Sequence, residues 1–163
     1  MTTYLPSLSI ATDGAATIPA AARRAHPARW MRRARDGKVA MLAGIESLAA
    51  CGPRDLLALA AAADLVEVPA GTVLGHGSAL AHSWWMPVDG WLLVSGHGNQ
   101  AITVPSGWSW AAPTRNMPPE TRISALRGGK VLTTTTPRLL GTLDDFPRLA
   151  TAIRSTLVLP AHV

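Results

Sequence analysis

The chain has one cysteine, one tyrosine and one phenylalanine in 163 residues, and each scarcity excludes something. Cys51 alone can close no internal disulfide, so a disulfide-stapled secreted scaffold is excluded and a reducing compartment fits. A free cysteine on a helix reads as a small buried apolar residue. Charged residues make up only 15% of the chain against 48% hydrophobic ones, which excludes a solvated disordered chain and calls for a core. No window reaches the roughly 18 to 20 apolar residues of a membrane-spanning helix. No basic residue precedes Arg23, and no apolar run follows Arg23-Arg24, so neither a secretory nor a twin-arginine leader is expected. A cytoplasmic protein is the expectation, and the Ala/Arg-rich composition points to a GC-rich bacterial genome. Catalytic signatures are missing as well. There is no G-x-S-x-G, no P-loop, no cysteine cluster and no pair of carboxylates that stands out. His76, His82 and His97 lie in or beside Gly-rich turns, without the His-x-His and following Glu that a cupin-type metal site uses. No enzyme, no metal and no cofactor are therefore expected.

What is present is unevenly placed. Residues 1–38 hold Arg23, Arg24, Arg29, Arg32, Arg33, Arg35 and Lys38 against only Asp13 and Asp36, which accounts for the whole net charge of +5. Residues 39–163 hold eight basic and eight acidic residues and are neutral. The first 22 residues are Ala/Thr/Ser-rich and read as an extended or mobile tail. The run RRAHPARWMRRARDGK follows, with a short helix expected over 28–35 and a stop at Asp36-Gly37. Residues 1–38 are thus expected to form a basic, partly mobile extension and 39–163 a single domain. Such an extension suits an acidic protein partner, an anionic surface or a nucleic acid. Its candidate contact residues are Arg23, Arg24, Arg29, Trp30, Arg32, Arg33, Arg35 and Lys38, Trp30 supplying an apolar anchor. The alternative is a solubilising tail.

From residue 39 the pattern changes. VAMLAGIESLAAC predicts a first helix, broken by Gly52-Pro53, and Pro53 suits the first turn of a second helix over 54–64. Short apolar runs cut by Gly, Pro and Asp then succeed one another: 65–68, 72–74, 84–88, 91–95, 101–104, 122–126 and 131–136. Strand-length runs separated by turn residues predict a rolled or barrelled antiparallel sheet, and Asp89-Gly90 is a tight-turn signal. Ser95 to Gly98 reads as a flexible turn. Trp84 and Trp85 are adjacent, so on a strand they point to opposite faces, and one is expected to face out. Most of the remaining tryptophans read as core, with one or two free to form an exposed aromatic patch. Near the end, Asp145 is the candidate N-cap and Pro147 the first turn of a helix with Leu149, Ala150, Ile153 and Leu157 on one face.

This order of parts resembles the β-roll of cyclic-nucleotide-binding domains, found in the catabolite activator family, kinase regulatory subunits and gated channels. The parts are an amphipathic helix, a strand, Pro69-Ala70-Gly71, a strand, Gly77-Ser78, an aromatic-apolar strand, Gly90 and a closing helix after a Pro. The likeness spans about residues 42–157. It implies an α+β fold, an antiparallel, jelly-roll-like β-roll flanked by N- and C-terminal helices. After residue 157 the long dimer helix and winged helix-turn-helix of the family's transcription factors are not expected, since six residues remain.

The family's ligand cassette reads roughly Gly-Asp-x-x-Gly-Glu, then, about ten residues on, Arg-Ser/Thr-Ala. Here the segment is Gly107-Trp108-Ser109-Trp110-Ala111-Ala112, with Ala111 and Ala112 in the Gly and Glu slots. Counting forward puts the arginine slot near Arg122, and counting back from the next strand puts it at Pro119. Gly107, Ser109, Arg115 and Arg122 are therefore the candidate ligand residues. Losing the acceptor for the ribose 2′-hydroxyl leaves a polar group unpaired, at a cost of about 1 to 3 kcal/mol. Cyclic-nucleotide binding is expected to be lost or weak. The resemblance then implies a non-catalytic regulatory or protein-interaction module, docking through the basic arm and an aromatic patch. The alternatives are an altered cyclic-nucleotide or small-anion sensor and a nucleic-acid-binding accessory protein.

Overall fold

Each apolar run bounded by turn residues becomes a strand in the computed structural model, which describes residues 27–97, 100–112 and 117–158, and side chains from residue 35 onward except at 97 and 100. Helix α1 (Pro27–Ala43) leads through a short 3-10 turn (Glu46–Leu48) to α2 (Pro53–Ala62). Eight strands follow: β1 (Asp64–Val68), β2 (Val73–His76), β3 (Ser83–Pro87), β4 (Trp91–His97), β5 (Gln100–Pro105), β6 (Trp110–Ala111), β7 (Arg122–Arg127) and β8 (Gly129–Thr135). Helices α3 (Thr136–Asp145) and α4 (Pro147–Thr156) close the described chain. The strands pair antiparallel throughout, in two four-stranded sheets ordered β1-β8-β3-β6 and β2-β7-β4-β5. This is the expected α+β antiparallel roll with helices on either side of it in sequence.

Strand alternation divides the apolar side chains between two cores. Trp84, Met86 and Leu132 face outward from the first sheet and are buried by the helices, against Leu42, Leu48, Leu59, Leu139, Leu149 and Ile153. Val68, Leu80, Leu92, Val94, Val104, Trp110, Ile123, Ala125 and Val131 fill the space between the sheets. The adjacent tryptophans split accordingly: Trp84 packs in the helix-facing core, and Trp85 packs against the inter-sheet core with its indole N–H donating to Ser83 Oγ at 2.9 Å. Trp84 is buried and Trp85 half-buried on the inward side, which corrects the expectation that one of the pair faces out.

Three local expectations are also corrected. Helix α1 does not stop at Asp36-Gly37; it runs through both and carries residues 27–43, so residue 38 lies inside a continuous helix. A mid-helix glycine costs only about 1 kcal/mol, and the buried Leu42 and half-buried Val39 beyond it pack against the helix-facing core. Asp145 ends α3 and does not cap α4; the residue preceding α4 is Phe146, with no side-chain cap, and Pro137 opens α3 as Pro147 opens α4. Ser95 to His97 belong to β4 and not to a flexible turn. Gly96 sits at φ +105°, where a Cβ would overlap the Glu120 carbonyl, so only glycine lets the chains approach this closely.

Candidate functional site

The cassette-like segment begins in the turn after β5. Gly107 donates its N–H to Pro87 O at 2.8 Å, and its carbonyl accepts from Ser47 Oγ at 2.8 Å. Its φ is +77°, and a Cβ there would press on Ile45. Ser109 is wholly buried, with its hydroxyl 3.1 Å from Thr156 Oγ1. Its N–H donates to Thr156 O at 2.9 Å, and its carbonyl accepts from Val158 N–H at 2.8 Å. Gly107 and Ser109 thus stitch the roll to the helical layer. Trp110 and Ala111 pair with β3 as β6, and Trp110 and Ala112 pack into the inter-sheet core.

Arg122 lies elsewhere. It opens β7, opposite His76 on one side and Ser95 on the other, and it is exposed. Its neighbours Ile123 and Ala125 fill the inter-sheet core, so alternation turns Arg122 away from the roll interior. Gly107 follows Pro105, which pairs with Trp91 at the start of β4, whereas Arg122 pairs with Ser95 near its other end. Gly107, Ser109 and Arg122 do not converge. Arg115 lies outside the described residues.

Solved structures share the fold. The sensor domain of the transcriptional regulator DNR from Pseudomonas aeruginosa superposes with a TM-score of 0.55 at 18% identity, covering 72% of this chain and 88% of that one. A cyclic nucleotide-binding domain from Methylobacillus flagellatus gives 0.52 at 12% identity, over 75% and 72%. The Thermus thermophilus Catabolite Activator Protein gives 0.51 at 14% identity, covering 67% of this chain and 55% of its own length. The chain has a cyclic-nucleotide-binding-like fold. No protein-family model and no curated protein matches the sequence, so the likeness rests on shape.

Within this cyclic-nucleotide-binding-like fold two surface hollows lie away from the inter-sheet core. One, of about 700 Å³, lies where the start of α2 meets the α3–α4 corner, between Arg54, Asp55, Asp145 and Arg148. Its charges balance, and Asp55 accepts from Gly52 N–H at 2.7 Å. The other, of about 500 Å³, lies between Gly44–Ser47, the Ser106–Trp108 turn and Ser155–Thr156. The hydroxyls of Ser47, Ser106, Ser155 and Thr156 there all donate to backbone carbonyls. Among the described residues, no group of three His, Cys, Asp or Glu side chains could hold a metal ion. No described helix is long and apolar enough to cross a membrane.

Of the arm, Arg23 and Arg24 lie outside the described residues. Arg29, Trp30, Arg32 and Arg33 ride on α1, and Arg35 is exposed. Lys38 is engaged within the chain: Nζ donates to Ala60 O at 2.9 Å and to Ala63 O at 2.8 Å. Thr134 Oγ1 donates to Ala62 O and Arg138 to Ala61 O, both at 2.7 Å. Four carbonyls at the C-terminus of α2, which have no partner within the helix, are thereby satisfied by side chains, two of them cations that suit the helix dipole. Burial lowers the Lys38 pKa from the ordinary 10.5, partly opposed by Asp64. Burial pushes the Cys51 thiol up, as expected for a structural cysteine. Thr134 and Arg138 carry no sequence signal for this role, because their partners lie more than 70 residues away.

Proposed function

We propose that the chain is a non-catalytic regulatory module that works by docking on a partner protein and holds no cyclic nucleotide in the ordinary way. The observation that carries this reading is the filled roll. Trp85, Trp110, Ala112 and Met117 pack into the same inter-sheet core as Leu92, Val94 and Ile123. Where the family places a carboxylate for the ribose hydroxyl, Ala112 offers a methyl group. The one described candidate arginine, Arg122, sits on the outer side of its sheet. A phosphate needs several backbone N–H groups and a converging cation. Here the N–H groups of Gly107, Ser109 and Ala112 already bond to Pro87, Thr156 and Ser83.

Two surfaces support docking. The basic stretch of α1 suits an acidic partner through charge steering. Trp91 and Trp108 are the exposed indoles among the described residues, and they flank one turn: Trp91 pairs with Pro105, to whose carbonyl Trp108 N–H donates at 3.1 Å. Isothermal calorimetry of the full chain with cyclic AMP and cyclic GMP tests the reading. No binding at micromolar concentration is expected, and micromolar or tighter binding of either overturns it.

A further inference from the structure

The helices all gather on one sheet. The outer face of the β2-β7-β4-β5 sheet has no described layer over it, and apolar side chains surround Ser124 and Thr103 in its middle. Val73 on β2, Leu126 on β7 and Trp91 on β4 are 48%, 52% and 44% exposed on three consecutive strands. Val73 pairs with Ser124, Ser124 with Leu93, and Trp91 with Pro105, so the half-buried Leu93 and Pro105 extend the same surface. Single exposed apolar residues are ordinary, but a contiguous apolar patch marks a contact surface.

Its charge has one sign. Strands β2, β4, β5 and β7 read VLGH, WLLVSGH, QAITVP and RISALR and contain no Asp or Glu. Arg122 and Arg127, both exposed, stand at the two ends of β7, next to the central Ser124 and Leu126. Trp91 lies opposite Arg127 and Leu92 opposite Ala125, so a bulge at Leu126 brings Arg127 to the side that Trp91 and Arg122 share, about 13 to 16 Å from Arg122. Acids occur in flanking turns; Asp89 accepts from Lys130 N–H, and Glu120 lies before β7.

We infer that this sheet face is the docking surface for a protein segment that carries apolar side chains flanked by carboxylates. The inference rests on the partner-docking reading and names the chemistry of the partner. Apolar anchors would cover Leu126, Leu93 and Trp91, and acids at either end would meet Arg122 and Arg127. A second copy of this chain would bring the same two arginines and no strand carboxylate to the interface, so charge complementarity favours an acidic segment.

The test titrates the full chain with a synthetic peptide of alternating Leu and Glu, and in parallel with its Leu-Lys counterpart, reading tryptophan fluorescence. Saturable quenching by the Leu-Glu peptide alone is expected. R122E/R127E should weaken it at least tenfold, and V73S/L126S by a similar factor, both with unchanged melting temperature. No saturable binding, equal binding of both peptides, or binding insensitive to both variants overturns the assignment. Concentration-dependent dimerisation in sedimentation that L126S abolishes also overturns it, because the face would then belong to a second copy. A blank nucleotide titration alongside a failed peptide test leaves the docking reading standing on α1. Nucleotide binding alongside a positive peptide test removes the filled-roll reading and keeps the face.

Discussion

The two sheets of this roll are built from similar runs and end up in different surroundings. The first sheet turns Trp84, Met86 and Leu132 outward into a helical layer that buries them completely, while the second turns Val73, Trp91 and Leu126 outward into solvent. Trp84 and Trp91 lie on successive strands, and the same side chain is a core residue in one and a surface residue in the other. The sheets' own patterns do not decide this; α1, α2, α3 and α4 do, by packing on one side only. No described residue packs over the apolar side chains of the second sheet, and the proposed docking surface would give them a partner.

Substitutions break the comparison in order of size. Trp84→Ala removes a buried indole from the covered sheet and should cost about 3 to 5 kcal/mol in urea unfolding. A loss under about 1 kcal/mol would mean that the helical layer does not hold that sheet. Gly96→Ala, which forces a side chain at positive φ against the Glu120 carbonyl, should cost about 2 kcal/mol or more and disturb the β4–β7 pairing of the bare sheet. Next comes Lys38→Met, which leaves the Ala60 and Ala63 carbonyls to water and should cost about 1 kcal/mol. Because burial lowers the folded-state pKa of Lys38, the unfolded chain binds its proton more readily over the interval just below 10.5. The stability of the natural chain relative to the variant should therefore rise with pH through that interval. A flat difference would place Lys38 in solvent. Trp91→Ala and Leu126→Ser on the bare sheet should change stability by less than about 0.5 kcal/mol. A large loss there would show that something covers that face.

How much of this was legible follows from where the information lies. The roll was readable because its turns are local: Pro69-Ala70-Gly71 and Asp89-Gly90 mark chain reversals in neighbouring residues. The outward turn of Arg122 could have been read as well, since Ile123 and Ala125 alternate with it. The length of α1 was not legible, because local signals at Asp36-Gly37 were outweighed by packing of residues beyond them. Helix α3 was hidden by Thr133 to Thr136, whose β-branched side chains suit a strand and leave only Pro137 as a start signal. The roles of Ser109 and Lys38 rest on contacts with Thr156, Ala60 and Ala63, far away in the chain, and no local pattern announces them.

The central claim, that the roll interior is filled and the outer surface does the work, is most directly tested by NMR of the tryptophan indole N–H groups during titration with cyclic AMP, then with the Leu-Glu peptide. The account predicts that the Trp85 and Trp110 signals stay fixed throughout, while the Trp91 signal moves only with the peptide. Movement of Trp85 and Trp110 with the nucleotide, at micromolar concentration and with Trp91 unmoved by the peptide, would contradict it.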